Sequence, residues 1–139
     1  MSVIKQYVRP LALGIILKDD KILAVREFDR KKNEHFYRLV GGGIEFGERG
    51  AEALKREFME ELGIEIKVKK HLGALENLFS FEGENGHEIC LLYETEFVDK
   101  EIYELERLPM IEPQHADKFA VWVPLSAERI YPDGWQKFI

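Results

Sequence analysis

Cysteine and long apolar runs are scarce in this sequence. A single cysteine, Cys90, excludes an internal disulfide and is typical of a protein from a reducing compartment. The early apolar run at residues 11–17 is too short to cross a bilayer, and it lacks a small-residue cleavage site. We therefore expect a cytoplasmic protein that does not bind membranes.

Positive charge is also in short supply. Lys and Arg number 20 against 26 Asp and Glu, so the formal net charge is −6. Such a chain is a poor partner for long nucleic acid, whose phosphates are held mainly by Lys and Arg. A small nucleotide is not excluded, because a bound cation can invert the local field.

The chain carries strand patterns around one strong helix pattern. Its 139 residues are enough to bury a core, and no repeat, linker or low-complexity segment divides them. We predict one domain over residues 1–139, of the α+β (mixed α/β) class.

Most of the chain reads as strands and turns. Gly73 predicts a bulge or break, while Asp19-Asp20 and residues 82–86 predict turns. Alternation of apolar and polar residues predicts strands over residues 3–18, 21–28, 36–40, 64–81, 87–98 and 119–124.

The remaining segments are connections and a C-terminal helical region. Residues 29–35 form a charged loop, either a solvated tip or a mobile lip over a site. Residues 99–117 form a long polar connection, and such loops tend to be functional or mobile. We predict a short helix over 125–130, with Ser126 as its N-cap, and a last helical turn over 135–139.

The stretch from Gly42 to Ile64, GGIEFGERGAEALKREFMEELGI, organises the chain. Gly41 to Gly43 predict a glycine-rich turn, and Gly63 predicts the end of the helix that follows. Helical periodicity places the apolar residues of this helix in one stripe, formed by Ala51, Leu54, Phe58 and Leu62.

Three glutamates lie beside that stripe. Like charges such as Glu57, Glu60 and Glu61 cost a helix about 0.2–0.5 kcal/mol per pair, and the helix dipole disfavours acids near its C-terminus. A Mg²⁺ ion would offset these penalties, since it takes oxygen ligands and keeps positions for water and phosphates. The alternative is a solvated acidic face with Lys55 and Arg56 as local partners.

The complete spacing favours the metal site. It resembles the Nudix box, the signature of the Nudix hydrolase superfamily, with Phe58 where an aliphatic residue is more usual. The matching residues run as Gly42, five residues, Glu48, seven residues, Arg56-Glu57-Phe58, one residue, Glu60-Glu61, one residue, Gly63-Ile64. The resemblance implies an α/β/α sandwich in which a central mixed sheet lies between helices.

The resemblance also implies an activity: MutT-like, Mg²⁺-dependent (Mn²⁺ is an alternative) hydrolysis of a pyrophosphate bond in a nucleoside diphosphate linked to another group. Glu57 and Glu61 would ligate the metal, and Glu60 would be a ligand or the base. Arg56 would pair with Glu48 and orient the box. Carboxylates this close titrate together, so the base is not assigned to one of them.

Further site residues follow from the same resemblance. The carbonyl of Gly41 or Gly42 would add a metal ligand near the substrate. Arg26 is a candidate for the substrate phosphates, with a surface ion pair as an equal alternative. Glu112 is a candidate to complete the metal site, with solvated surface charge as the alternative.

The pattern E-N-x-F, a glycine turn and H-E-I, at residues 76–89, resembles a Nudix subgroup of unsettled substrate. Glu88 is a candidate for substrate binding, for the metal or for the base. His87 is a candidate to touch the substrate, although a lone histidine beside a turn more often has a hydrogen-bonded structural role. The aromatic residues that would stack on a base or pack in the core are Tyr37, Phe79, Phe81 and Trp122.

Two other functions remain open. A Nudix module can sense a nucleotide without cleaving it, and the same fold hosts an isopentenyl diphosphate isomerase that needs a reactive cysteine. Cys90 lies mid-strand, where a buried apolar role suits it better. Candidate substrates are oxidised guanine nucleotides, deoxynucleotides, ADP-ribose, dinucleoside polyphosphates and capped RNA. The glycine-proline pattern of ADP-ribose enzymes is missing after the box, and a homodimer is common in the family.

Overall fold

The computed structural model describes residues 6–139, which form a nine-stranded mixed sheet and one α-helix. The part of the first predicted strand at residues 3–5 lies outside this range. The strands are β1 (Arg9–Ile15), β2 (Leu17–Lys18), β3 (Lys21–Asp29), β4 (Glu34–Gly43), β5 (Ile66–Phe81), β6 (Glu84–Phe97), β7 (Arg107–Pro109), β8 (Phe119–Pro124) and β9 (Ile130–Tyr131). The helix is α1 (Gly50–Leu62), and 3₁₀ turns occupy Lys100–Glu104, Pro113–His115 and Trp135–Phe138.

The strand order is β5-β6-β1-β4-β3-β8-β7, with β2 paired to β3 and β9 paired to β4. Two pairings, β1 with β6 and β4 with β9, are parallel, and the others are antiparallel. The predicted mixed sheet is therefore confirmed. Helix α1 packs against β1, β4 and β5 and so holds the box beside the centre of the sheet.

Both faces of the sheet are covered by apolar side chains. On one face α1 inserts Leu54 and Phe58 into a cluster that includes Phe97. On the other face Trp135 is fully buried in a second cluster, with Phe138 packed against it. The predicted stripe on α1 and the predicted last helical turn are thus confirmed, and the second face is closed by a 3₁₀ turn.

The prediction of a helix over residues 125–130 is wrong. The chain turns there, and Ile130–Tyr131 add a parallel strand beside Tyr37 and Arg38 of β4. The main-chain N–H of Tyr37 donates to the carbonyl of Arg129 at 2.8 Å, and Ile130 is buried. Strand pairing and burial at Ile130 therefore outweigh the helical pattern.

The glycine-rich turn predicted at Gly41–Gly43 is also wrong, since these residues form the end of β4. They pair with Leu11, Ala12 and Leu13 of β1. Gly41 has φ 151°, and a side chain there would collide with the main chain of Ala12. Glycine is needed for the close approach of two strands, not for a reversal.

Other boundaries differ in detail. The strand predicted over 64–81 is continuous, with the expected bulge at Gly73. The reversal predicted over residues 82–86 is tighter, since only Glu82 and Gly83 lie between β5 and β6. The long connection over 99–117 contains β7 and two 3₁₀ turns.

Helix α1 ends as its sequence predicts. Gly63 has φ 68°, and its N–H donates to the carbonyl of Met59 at 2.9 Å. This left-handed residue stops the helix one position after Leu62. Among residues 6–139 no helix has the length and apolar character needed to span a membrane.

Candidate active site

A cavity of about 630 Å³ opens between α1 and the strands β3 to β6. At one end, Glu57 and Glu61 face Gly41 and Gly42. Phe36 lies six residues before Gly42 on β4, which is roughly 20 Å along an extended strand. The cavity therefore has an acidic end and an aromatic end far enough apart for a nucleotide.

Arg56 is the centre of the box. Its guanidinium donates twice to Glu48, at 2.7 and 3.0 Å, and once to the carbonyl of Gly43 at 2.9 Å. A third nitrogen donates to Glu57 at 3.0 Å and to Glu60 at 3.1 Å. The predicted pairing of Arg56 with Glu48 is present, and it lowers the pKa of Glu48 to about 2.

Glu57 lies against the end of β4. A side chain on Gly42 would collide with the Glu57 carboxylate, so glycine leaves the space that this group occupies. Burial raises the pKa of Glu57, and the neighbouring charge of Arg56 opposes this rise. The hydrogen bond from Arg56 holds the carboxylate at the cavity wall, in the space that is free because Gly42 has no side chain.

Glu61 is the more buried of the two cavity carboxylates, with 6% of its surface exposed. Its Oε2 atom has no hydrogen-bond partner within residues 6–139, and Oε1 lies 3.9 Å from Nη2 of Arg38. Burial raises the pKa of Glu61 to about 7. A cation next to the unpartnered oxygen would stabilise the ionised form of this buried carboxylate.

Glu60 does not join them. Its side chain is half exposed, bonds to Arg56 and does not line the cavity. The reason is helical geometry: Glu57 and Glu61 are four residues apart and share a face, whereas Glu60 points about 60–100° away from both. Of the three glutamates, Glu57 and Glu61 line the cavity and Glu60 does not, so the role of Glu60 as a ligand or the base stays a prediction.

Within residues 6–139 no three His, Cys, Asp or Glu side chains are arranged as a complete metal cage. Mg²⁺ does not require one, because it is usually bound by one or two carboxylates together with substrate phosphates and water. Glu57 and Glu61, beside the main chain of Gly41 and Gly42, fit that pattern. The unpartnered oxygen of Glu61 is the observation that supports it.

Arg26 and Tyr37 lie outside the cavity. Arg26 is exposed, and Tyr37 packs against the core cluster around Trp135. Since side chains alternate along a strand, their neighbours take the cavity positions instead. Glu27 of β3 and Arg38 of β4 line the cavity, whereas Arg26 and Tyr37 take the surface and core positions that were their alternatives.

A cluster of three charges that sequence reasoning missed lies beside Glu61. Glu27 accepts from Nε of Arg38 at 2.7 Å and from Nζ of Lys118 at 2.7 Å. The cluster joins β3, β4 and the segment before β8, and its cations lower the pKa of Glu27 against the effect of burial. Alternation in β4 was a signal for Arg38, but no local pattern marks Lys118.

Glu88 lines the cavity, and its Oε1 accepts from Nδ2 of Asn77 at 3.2 Å. His87 does not line this cavity, and its Nε2 lies 3.5 Å from Oε2 of Glu76. Glu112 precedes a 3₁₀ turn outside the cavity lining and accepts from Gln114, although its charge contributes to the raised pKa of Glu61. Of these candidates, only Glu88 faces the cavity.

The aromatic candidates divide between site and core. Phe79 and Phe81 line the cavity, and Phe81 packs edge-on to Phe36 with ring centroids 5.8 Å apart. Trp122 stacks on Tyr103 and donates its ring N–H to a main-chain carbonyl, so it is structural.

Cys90 is fully buried in the middle of β6. Burial raises the pKa of its thiol to about 12. The thiolate, which is the reactive form of cysteine, is therefore suppressed at neutral pH. Cys90 acts as a small apolar core residue.

Comparison with known proteins shows the family to which this chain belongs. ADP-ribose pyrophosphatase from Methanocaldococcus jannaschii is 32% identical over 116 residues, which cover 73% of this chain and 65% of that protein, so this chain spans less than two thirds of that relative. The crystal structure of the MutT protein from Methanosarcina mazei Go1 has a TM-score of 0.63 at 18% identity, covering 98% of this chain and 93% of its own. The crystal structure of a UDP-X diphosphatase has a TM-score of 0.56 at 22% identity, and the match covers 93% of this chain and 60% of that chain. These structures show the shared fold, and the family model of the NUDIX domain matches residues 8–137, so the chain belongs to the NUDIX family.

Proposed function

We propose that the protein hydrolyses a pyrophosphate bond in a nucleoside diphosphate linked to another group, with Mg²⁺ or Mn²⁺ as cofactor. One observation carries the proposal. Glu57 and Glu61 face a cavity of nucleotide size beside Gly42, and the buried Oε2 of Glu61 has no hydrogen-bond partner within residues 6–139. This oxygen suits a divalent cation that also binds phosphate.

The cation would be held by Glu57 and Glu61, next to the main chain of Gly41 and Gly42. When bound, it supplies neutralisation of the phosphate oxygens and makes water a better nucleophile. Arg56 donates to Glu57 and so orients its carboxylate. Arg56 also donates to Glu48, and this contact ties the loop before α1 to the helix. The two cavity carboxylates, as a coupled group, accept the proton of the attacking water.

The phosphates need positive charge from the protein as well. Arg38 and Lys118 line the cavity beside Glu61, and Glu27 holds both at 2.7 Å. The cluster carries one positive charge more than negative, which suits a phosphate with several anionic oxygens. Glu27 thus positions two cations at the wall where the substrate phosphates would lie.

The alternative is a module that binds a nucleotide without cleaving it. The paired carboxylates and the intact Arg56–Glu48 contact favour catalysis, since binding alone does not need them. The isomerase alternative lacks its reactive cysteine, because Cys90 is buried with a pKa near 12.

The test is product analysis of the purified protein with Mg²⁺ against nucleoside triphosphates, ADP-ribose, UDP-linked compounds and dinucleoside polyphosphates. ADP-ribose and UDP-linked compounds belong in the panel because a relative and a structural neighbour carry those names. Glu57→Gln should lose most activity and keep its fold, and Glu94→Gln, at an exposed position of β6, should match the wild type. Full turnover by Glu57→Gln would contradict the metal role.

A different result would favour the sensing alternative. If neither protein cleaves any compound, but a nucleotide raises the melting temperature of both, the cavity binds without hydrolysis.

A further inference from the structure

Two neighbouring cross-strand pairs form a four-residue surface at the cavity wall, which we call the β5–β6 patch. Asn77 lies opposite Glu88, and Phe79 lies opposite Gly86. Asn77, Phe79 and Glu88 line the cavity. Same-face neighbours on a strand are roughly 7 Å apart and cross-strand partners roughly 5 Å apart, so the patch matches a nucleobase in size.

The aromatic half of the patch has a fixed orientation. A side chain on Gly86 would collide with three carbons of the Phe79 ring, so the ring lies directly over this glycine. The ring therefore presents a flat apolar surface beside the polar pair. Aromatic rings placed in this way stack on any base and add affinity without selecting among bases.

The polar half of the patch is rich in acceptors. Asn77 is buried, and its amide nitrogen donates to Oε1 of Glu88 at 3.2 Å. After that hydrogen bond, Asn77 keeps its carbonyl oxygen and one amide N–H, and Glu88 keeps its second carboxylate oxygen, so free acceptors outnumber free donors. A ligand edge with two adjacent N–H donors would satisfy this arrangement better than an edge with an acceptor.

Glu88 belongs to the polar half of the patch by its position. It lies on β6 and accepts from Asn77 of β5, whereas Glu57 and Glu61 lie on α1. Its hydrogen bond to Asn77 therefore makes Glu88 part of the β5–β6 patch.

We propose that the β5–β6 patch binds the base of the substrate and prefers guanine, with Asn77 and Glu88 as specificity-determining residues. This inference rests on the proposed function. Guanine presents N1–H and the N2 amino group side by side, and a carboxylate accepts from both. Hypoxanthine keeps only N1–H, and adenine presents an acceptor at N1 that faces the carboxylate unfavourably.

Binding is measured first, by calorimetry with GMP, IMP and AMP on the metal-free protein. Hydrogen bonds to charged groups predict that GMP binds on the order of tenfold or more tightly than AMP, with IMP between them. Glu88→Gln should reduce the GMP to AMP ratio to about one, since a neutral amide presents one acceptor and one donor. Glu94→Gln, on the same strand but exposed, should keep the wild-type ratio.

A second variant separates stacking from selection. Gly86→Ala displaces the Phe79 ring, so affinity for all three nucleotides should fall by roughly the same factor, on the order of tenfold, while the ratio stays. A wild-type protein without preference, or an unchanged ratio in Glu88→Gln, would overturn the proposal.

Turnover of GTP, ITP and ATP distinguishes the two proposals. If no nucleotide is cleaved, but GMP binds selectively and Glu88→Gln loses this selectivity, the hydrolase function fails and the patch stands. If all three are cleaved with equal kcat/KM and the monophosphates bind equally, the patch fails and the hydrolase function stands.

Discussion

Arg56 and Glu48 form a two-pronged ion pair, with nitrogen–oxygen distances of 2.7 and 3.0 Å, that ties the loop before α1 to the middle of the helix. Arg56→Lys retains the charge but loses the planar fork that makes both contacts. We expect kcat/KM to fall on the order of 10–100-fold, because Glu57 loses the group that orients it. The measurement is steady-state kinetics at saturating Mg²⁺.

The control for this change is Lys55→Gln, which alters an exposed cation one position earlier on the same helix. It should leave kcat/KM near the wild-type value. Equal losses in both variants would indicate a general effect of helix charge and not of the Arg56–Glu48 pair.

Glu61 and Glu60 are adjacent in sequence but differ in burial, and this difference makes a second prediction. Glu61→Gln should weaken Mg²⁺ binding strongly, whereas exposed Glu60→Gln should have a small effect. Without metal, Glu61→Gln should also raise the melting temperature, because it removes a buried charge with an unpartnered oxygen. Metal titration followed by calorimetry and thermal unfolding measures both effects. Similar Mg²⁺ affinities in the two variants would contradict the assignment of Glu61.

Much of this site was predictable because it lies on one continuous element. Helical periodicity and spacing placed Glu57, Glu61 and Arg56 together, and Gly63 marked the end of the helix. Glu60 lies about 100° around the helix from Glu61, and its side chain bonds to Arg56 instead of lining the cavity.

The strands were harder to predict at the level of single residues. The resemblance proposes Arg26 for the phosphates, but a shift of one position exchanges the two faces of a strand, and Glu27 is the residue that lines the cavity. Glu27, Arg38 and Lys118 meet only through the pairing of β3 with β4 and β8. A contact over such sequence distances has no local signature.

Asp29 supplies a third prediction, because its carboxylate joins the tips of two hairpins. It accepts from the main-chain N–H groups of Lys31 and Lys32, at 2.9 and 3.0 Å, and from that of Glu82 at 3.1 Å. These hydrogen bonds favour the ionised form and lower the pKa of Asp29 below its usual value. Its contribution to stability is therefore present above the unfolded pKa of about 3.9 and is lost as the pH falls through the lower folded pKa.

The change to make is Asp29→Asn, which replaces one carboxylate oxygen by an amide NH₂ group. That group is a donor and would face a main-chain N–H, which is also a donor. Its melting temperature should lie below that of the wild type at pH 6, and the two should approach each other below about pH 3.5. Asp117→Asn, at an exposed position, should track the wild type throughout. A constant difference between Asp29→Asn and the wild type across this range would contradict the role of the ionised carboxylate.

Arg38 and Arg26 lie on opposite faces of the hairpin formed by β3 and β4, and only Arg38 lines the cavity. Substitutions at these two positions are the last prediction. Arg38→Gln should raise KM for the nucleotide roughly 10–100-fold, because a hydrogen bond from a charged donor to phosphate is lost. Glu27→Gln should raise KM less, since Arg38 and Lys118 remain but lose the carboxylate that holds them. Arg26→Gln should leave KM unchanged, because that side chain lies outside the cavity. A larger effect at Arg26 than at Arg38 would mean that the phosphates bind on the opposite face, and the placement of the substrate would then be wrong.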